Sequence, residues 1–299
     1  MHSSLAAGHL AAMATILMWG LTYISMKVLL DSYTPVEILF WRYLIGFALL
    51  FAAAGLRIRF RPLREEWLYA AAGCSGITFF SLLENMALTY TYASNVAMIM
   101  AVAPMLTGLL ARVVLLDRTV GGLFAVGVLS AAAGIGLISY SGAEELHLNP
   151  FGDLLAVAGA VLWAVYSLFT QKITAFGERP AEATCHMFFY GLLSTAVLAF
   201  FLPFRLDLAR FAEPVNLVNI LFLGVLASAL CFALWTYCVE ILGAARTVVY
   251  VYATPLVTLV CAALILGEVL TPRALAGIVL IMTGLCLSQW RRKRPEEAL

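Results

Sequence analysis

Charge is what this sequence lacks. Lys and Arg number 18 and Asp and Glu 17 in 299 residues, so 12% of the chain is charged, against about a quarter in a soluble domain. So thin a polar coat excludes an ordinary cytosolic enzyme, a disordered chain and a nucleic-acid binder. Histidine is scarce too. His2, His9, His147 and His186 are scattered and form no HExxH pair and no Ser–His grouping, so no catalytic residue is assigned. The six cysteines (Cys74, Cys185, Cys231, Cys238, Cys261, Cys286) all fall in apolar runs without a CxxC pair. They read as small buried hydrophobes, with no disulfide, metal or cofactor. A Walker-type phosphate loop is missing, so ATP is not the expected energy source. The first apolar run is too long for the core of a cleaved leader and reads as a spanning helix.

What is abundant is apolar. Hydrophobic residues make up 63% of the chain, and the mean hydropathy is +0.97. A helix needs about 20 apolar residues to cross the hydrocarbon core. Runs of that kind recur near residues 8–30, 36–55, 67–91, 94–116, 120–140, 151–174, 181–202, 216–241, 245–267 and 272–290. The expected fold is therefore an all-α integral membrane protein with ten transmembrane helices. Short polar breaks separate the runs, such as Asp31 to Pro35 and Arg57 to Glu66. Thr271-Pro272 reads as an N-cap with proline at the first helical position.

Basic residues set the orientation. With the N-terminus inside, the inner side receives thirteen: Arg57, Arg59, Arg61, Arg64, Arg112, Arg118, Lys172, Arg179, Arg246 and the tail Arg291, Arg292, Lys293 and Arg294. The outer side receives five: Lys27, Arg42, Arg205, Arg210 and Arg273. This bias predicts a multi-pass protein of the cytoplasmic membrane with both termini in the cytoplasm.

Matched spacings reveal an internal repeat. Trp19 precedes Lys27 by eight residues and Trp163 precedes Lys172 by nine; Pro104 precedes Asp117 by thirteen, as Pro255 precedes Glu268. Gly127 and Gly134 are seven apart, as are Gly277 and Gly284, and Ala87-Leu88 lies seventeen before Pro104 as Cys238-Val239 does before Pro255. The chain divides into five-helix halves, 1–146 and 147–299, within one membrane domain. Five is odd, so the second half is expected to be inverted relative to the first, around a central cavity.

Several residues stand out along these runs. Trp19 and Trp163 lie at mid-depth, where an indole usually faces protein or a cavity rather than lipid. Glu84, with Asn85 beside it, is a carboxylate inside a run, and such a group needs a partner or water. Its expected place is the substrate path, as a proton carrier or a substrate ligand; a structural pair is the alternative. Helical spacing puts Thr15, Trp19 and Thr22 on one face, Trp163, Tyr166 and Thr170 on another, Ser228, Cys231 and Trp235 on a third, and Tyr250, Thr254 and Thr258 on a fourth. Met98 and Tyr252 are added to the aromatic wall that these faces predict. The candidate substrate site is thus Trp19, Thr22, Glu84, Asn85, Met98, Trp163, Tyr166, Trp235, Tyr250 and Thr254. Pro104 and Pro255, near the centres of their runs, are the candidate hinges. The four paired glycines predict close packing of the fifth and tenth helices, as a dimer surface or a scaffold. Asp117 and Glu268, next to Thr119 and Thr271, are read as caps.

With these residues in view, the chain resembles the drug/metabolite transporter superfamily in its ten-span EamA-type branch. The carrying stretches are Trp19-Gly20 to Lys27, Arg42, Ala87-Leu88-x-Tyr90 with Ala93-Ser94, Ala103-Pro104 to Leu116-Asp117, and Thr254-Pro255 to Leu266-Gly267-Glu268. The resemblance implies a basket of two inverted halves, a cavity lined mainly by spans 1, 3, 4, 6, 8 and 9, and export of small metabolites such as amino acids, purine derivatives or drugs. The expected function is a secondary transporter working by alternating access. Its partners are a small-molecule substrate and the bilayer, with protons as the candidate coupling ion and no nucleic acid; the protein is a monomer or a homodimer. A membrane-embedded enzyme would need a nucleophile and base, and a non-transporting receptor has no need of two equivalent half-gates.

Overall fold

The computed structural model describes residues 2–114, 122–144, 150–242, 250, 253–269 and 271–289. Among them every regular element is helical. The chain runs through α1 (His2–Leu29), α2 (Pro35–Ala53), α3 (Leu63–Ala72), α4 (Phe80–Tyr90), α5 (Ala93–Met100), α6 (Ala103–Val114), α7 (Gly122–Glu144), α8 (Pro150–Thr174), α9 (Pro180–Leu198), α10 (Pro214–Leu221), α11 (Cys231–Leu242), α12 (Thr254–Cys261) and α13 (Pro272–Gln289). Where they are described, the apolar runs of the sequence are mostly helical, with turns at 101–102 and 253 and non-helical residues at several run ends. Asp117, Arg118, Thr119, Arg246, Tyr252 and the basic tail lie outside the described residues.

Local chemistry sets the starts. Proline opens α2, α8, α9, α10 and α13, where its missing N–H costs nothing and its fixed φ suits the first turn. The Thr271 hydroxyl accepts from Ala274 N at 3.1 Å, which is the N-cap read from the sequence. Glu37 accepts from Thr34 N at 2.8 Å at the head of α2. That carboxylate is 1% exposed and also takes Arg205 N and both terminal nitrogens of Arg210.

Three π-helical stretches among the described residues have no counterpart in the sequence pattern. Gly73–Phe79 joins α3 to α4, Phe222–Leu230 joins α10 to α11, and Ala262–Leu266 extends α12. The first two occupy corresponding places in the two halves. A π-turn widens the helix by one residue and is frequent at functional sites.

Four helical stretches among the described residues are long and apolar enough to cross a membrane: Leu5–Leu29, Pro35–Ala53, Ala93–Leu110 and Pro150–Ile173. Shorter apolar helices accompany them, including Pro214–Leu230 and Pro272–Leu287. Outward positions stay apolar, as at Leu129, Val279 and Leu264, so these helices are hydrophobic all round and suited to lipid.

The halves interlock. Helix α1 lies against α11 and α12, and α8 lies against α3, α4 and α6, so the first helix of each half packs on the other half. Helices α7 and α13 form a second junction. A Cβ on Gly134 would stand 2.5 Å from the Gly277 carbonyl oxygen, and one on Gly284 would stand 2.5 Å from that of Gly127. The four glycines therefore meet inside one chain as a scaffold, and their faces are not free for a second copy.

Candidate functional site

A cavity of about 600 Å³ lies between the halves. Its wall comes from α1, α2, the α3–α4 rod, α5, α6, α8, α11 and α12. Of the expected site residues, Trp19, Thr22, Glu84, Trp163, Tyr166, Trp235 and Thr254 line it, and so do Pro104 and Pro255.

Three expected residues lie elsewhere. Asn85 is fully buried and donates from Nδ2 to Pro35 O at 3.1 Å, tying α4 to the start of α2. Met98 is fully buried among Ala131, Ile278, Ile281 and Leu285, on the α7–α13 side of α5. The Tyr250 hydroxyl sits 2.6 Å from His9 Nδ1 near the beginning of α1. Each is one helical step or one helix away from the cavity, a difference that periodicity alone does not resolve.

The aromatic walls are cross-braced. Trp19 donates from Nε1 to Ala227 O at 3.1 Å, within the π-helical stretch of the other half, and its ring lies 5.2 Å from that of Trp235. Trp163 lies 4.8 Å from Phe80 and 5.2 Å from Tyr166. The Tyr166 ring covers Gly76, where a Cβ would be 2.2 Å from ring carbons. Thus each half sends aromatic side chains from its first helix onto the π-helical stretch of the other.

The two prolines stand at matched breaks. Helix α5 ends at Met100, a turn covers 101–102, and Pro104 is the second residue of α6. Pro255 is likewise second in α12. The sequence predicted kinks within helices; the structure has helix starts, with proline where no N–H is required.

The polar part of the wall includes residues outside the expected set. Arg42 and Tyr43 come from α2, and Tyr23 comes from α1. Arg42 Nε donates to Ser228 Oγ at 3.1 Å, Nη1 lies 3.6 Å from Met26 Sδ, and the guanidinium sits 5.2 Å from the Tyr43 ring centre. Tyr43 OH and Ser81 Oγ are 2.6 Å apart. Glu84 is 4% exposed, with Tyr23 and Arg42 near enough to act on it electrostatically. Among the described residues Arg42 forms no ion pair. Its signal in the sequence is a basic residue well inside an apolar run, which the count of charges for orientation does not distinguish from a loop arginine.

Two helix termini outside the cavity wall are capped by side chains of other elements. Lys27 donates to Leu88 O and to Thr91 O, the latter at 2.9 Å, at the C-terminal end of α4. Glu268 accepts from Ala93 N and Ser94 N at the head of α5. The expected cap is thus present, but it serves a helix of the other half rather than its own neighbour.

Comparison with known proteins agrees with this architecture. The model of the EamA-like transporter family matches residues 6–140 and again 150–290. An uncharacterized transporter of Archaeoglobus fulgidus is 28% identical, over 87% of this chain and 89% of its own. A probable terminal-alkyne amino-acid exporter of Streptantibioticus cattleyicolor is 28% identical, over 93% and 91%. A probable amino-acid metabolite efflux pump of Salmonella typhimurium is 25% identical, over 93% of each. A crystal structure at 18% identity covers 94% of this chain and 96% of its own with a TM-score of 0.62, which shows a shared fold. The family is one of transporters, not of enzymes. With a double family match, apolar helices and a cavity between interlocked halves, this chain belongs to the EamA-like transporter family and is a multi-pass membrane transporter of small molecules.

Proposed function

We propose that the chain is a secondary transporter exporting small amphipathic metabolites (amino acids, nucleobase-like compounds or drugs) across the cytoplasmic membrane by alternating access. The observation that carries this reading is the cavity of about 600 Å³ walled by helices of both halves. That size is typical of small-molecule sites. A site at the junction of two repeats is what a carrier needs, because rocking one half against the other exposes it to either side in turn.

In this reading ten helices span the membrane as two inverted sets of five, 1–146 and 147–299, with both termini cytoplasmic. Lys27, Glu268 and the Glu37–Arg210 pair then lie on the outer side. The names of the S. cattleyicolor and S. typhimurium relatives support a metabolite substrate and the outward direction. Protons are the proposed coupling ion, and the working unit is a monomer or a homodimer.

The test is purified protein in liposomes, screened against labelled amino acids, nucleobases and cationic drugs with and without a pH gradient. Flux of one class, increased by the gradient, is expected. If no solute moves under any gradient, the transporter mechanism fails.

A further inference from the structure

The segment between α2 and α3 carries four arginines, and 55–64 holds no Asp or Glu. Helix α2 ends in a Schellman turn at Gly55, with φ of +76°, where Gly55 N donates to Ala52 O at 3.1 Å and Leu56 N to Phe51 O at 2.9 Å. The chain then leaves regular structure. Ile58 packs inward on the cluster that holds Cys185 and Phe188 of α9. Arg57 and Arg59 on either side of it are exposed, as is Arg64, and among the described residues none of the three forms an ion pair. The carboxylates nearby are already engaged. Arg61 holds Glu65 at 2.9 Å and Glu178 at 2.8 Å, and Glu66 takes His186 Nε2 and the Tyr190 hydroxyl. Glu182 is paired with Arg179, with Arg59 acting on it from farther off. Interleaved with the arginines, Leu56, Phe60 and Leu63 are exposed, and so is Trp67 in the second turn of α3.

The molecule contains its own point of comparison. The connector between α9 and α10, 199–213, meets the opposite end of α2, where Thr34 Oγ1 donates to Pro203 O at 2.7 Å and Arg210 pairs with Glu37 at 3.0 Å. It too exposes apolar side chains, Phe200, Phe201, Leu206 and Leu208. Its two arginines, however, are balanced by Asp207 and Glu213. Both connectors can dip into the boundary between headgroups and acyl chains, but only the first brings unbalanced positive charge there.

We propose that 55–64 is a binding site for bilayer phospholipids with anionic headgroups. Arg57, Arg59 and Arg64 take the headgroups, while Leu56, Phe60 and Leu63 enter the acyl boundary. A free anion could use the arginines but offers nothing to the apolar side chains between them, so the lipid is the occupant that fits both. Arg61 stands in the middle of the same segment and reaches Glu178 of the other half. A headgroup that fixes the segment therefore also steadies this junction between the halves. The site lies apart from the cavity, and the proposal holds whichever solute is carried.

The test uses the full chain in detergent, titrated with dioleoylphosphatidylglycerol or with dioleoylphosphatidylcholine. Bound lipid is counted by native mass spectrometry, and stability is read from thermal unfolding. Phosphatidylglycerol should bind more tightly and raise the melting temperature further. The variant R57Q/R59Q/R64Q should lose roughly fivefold in affinity for it per arginine. Its lipid-free melting temperature should stay that of the parent, because these side chains hold no ion pair, so a folding defect is told apart from lost binding. R57K/R59K/R64K should keep the preference, and R205Q, on the opposite connector, should behave as the parent. Added salt should erode the preference. Equal binding of the two lipids by the parent, or an unchanged preference in R57Q/R59Q/R64Q, overturns the proposal. If inorganic phosphate at the same concentration stabilises the protein as much as phosphatidylglycerol does, the site is one for free anions and the proposal falls as well. No solute has to move in this experiment, so its outcome is separate from that of the transport assay.

Discussion

Glu268 Oε2 accepts a hydrogen bond from Ser94 Oγ at 2.6 Å, and through it the second half of the chain caps a helix of the first. Gly267, with φ of +67°, turns the chain so that Glu268 leaves the end of its own helix and meets α5. The same carboxylate takes Ala93 N at 2.7 Å and Ser94 N at 3.2 Å. An anion at a helix N-terminus satisfies orphan N–H groups and meets the positive end of the helix dipole. Glu268→Ala should lower stability by about 1–3 kcal/mol, the cost of leaving buried donors unsatisfied. Glu268→Gln, which still accepts from one N–H, should lose less. Thermal unfolding of purified variants in detergent checks this, and two variants as stable as the parent would remove the cap from the account.

The reciprocal glycine contacts between α7 and α13 give a second expectation. At Gly134 and Gly284 the obstacle to a Cβ is a carbonyl oxygen at 2.5 Å, so the backbone itself has to move. Gly134→Ala and Gly284→Ala should each destabilise by roughly 1–3 kcal/mol, the usual cost of overpacking. Gly136, two residues from Gly134, would carry a Cβ with nothing within 4 Å of it. Gly136→Ala should be neutral or slightly stabilising through helix propensity. Equal melting temperatures for Gly134→Ala and Gly136→Ala would show that the helices do not touch through Gly134.

Gly76 sets the depth of the cavity at Tyr166. A methyl there would stand 2.2 Å from Tyr166 Cγ and 2.7 Å from its Cβ, the root of the side chain, so Tyr166 and the α8 backbone that carries it have to shift together. Gly76→Ala should displace this part of the wall and change the preference between bulky and small substrates. Competition between L-tryptophan and L-alanine for transport is the measurement. Equal losses for both would mean that the ring moves elsewhere.

Pro104 and Pro255 each follow a helix break, at 101–102 and at the Ala253 N-cap. Proline at such a place keeps the preceding turn from joining the next helix. We expect Pro104→Ala and Pro255→Ala to slow turnover more than they weaken binding, because the two segments then tend to fuse into one rod. Transport rates set against ligand-induced stabilisation separate the two effects. Turnover at the parental rate in both variants would assign the prolines to static packing.

Some of this was written in the amino-acid order itself. Apolar runs of spanning length allow only helices, because hydrocarbon offers no partner to an unpaired backbone group. Prolines and Thr271 mark helix starts by local rules that need no tertiary context. The paired spacings of Pro104 and Pro255, and of the four glycines, exposed the repeat. Trp19 and Trp163 were legible as cavity residues because an indole at mid-depth needs an acceptor.

Other features were decided only when the helices packed. Helical periodicity says which residues share a face but not which neighbour the face meets, so Asn85, Met98 and Tyr250 fell outside the wall while Tyr23, Arg42 and Tyr43 fell within it. The π-helical stretches leave no mark in composition, since they arise where a helix yields one extra residue to fit its neighbour. Glu268 read as a cap, but its partner lies 174 residues away in the chain, a pairing that only the interlocking of the halves creates. The sequence by itself determined a membrane protein of repeated helices. Tertiary structure decided which of its few charges line the cavity, because the direction of a side chain depends on how the helices are rotated and packed.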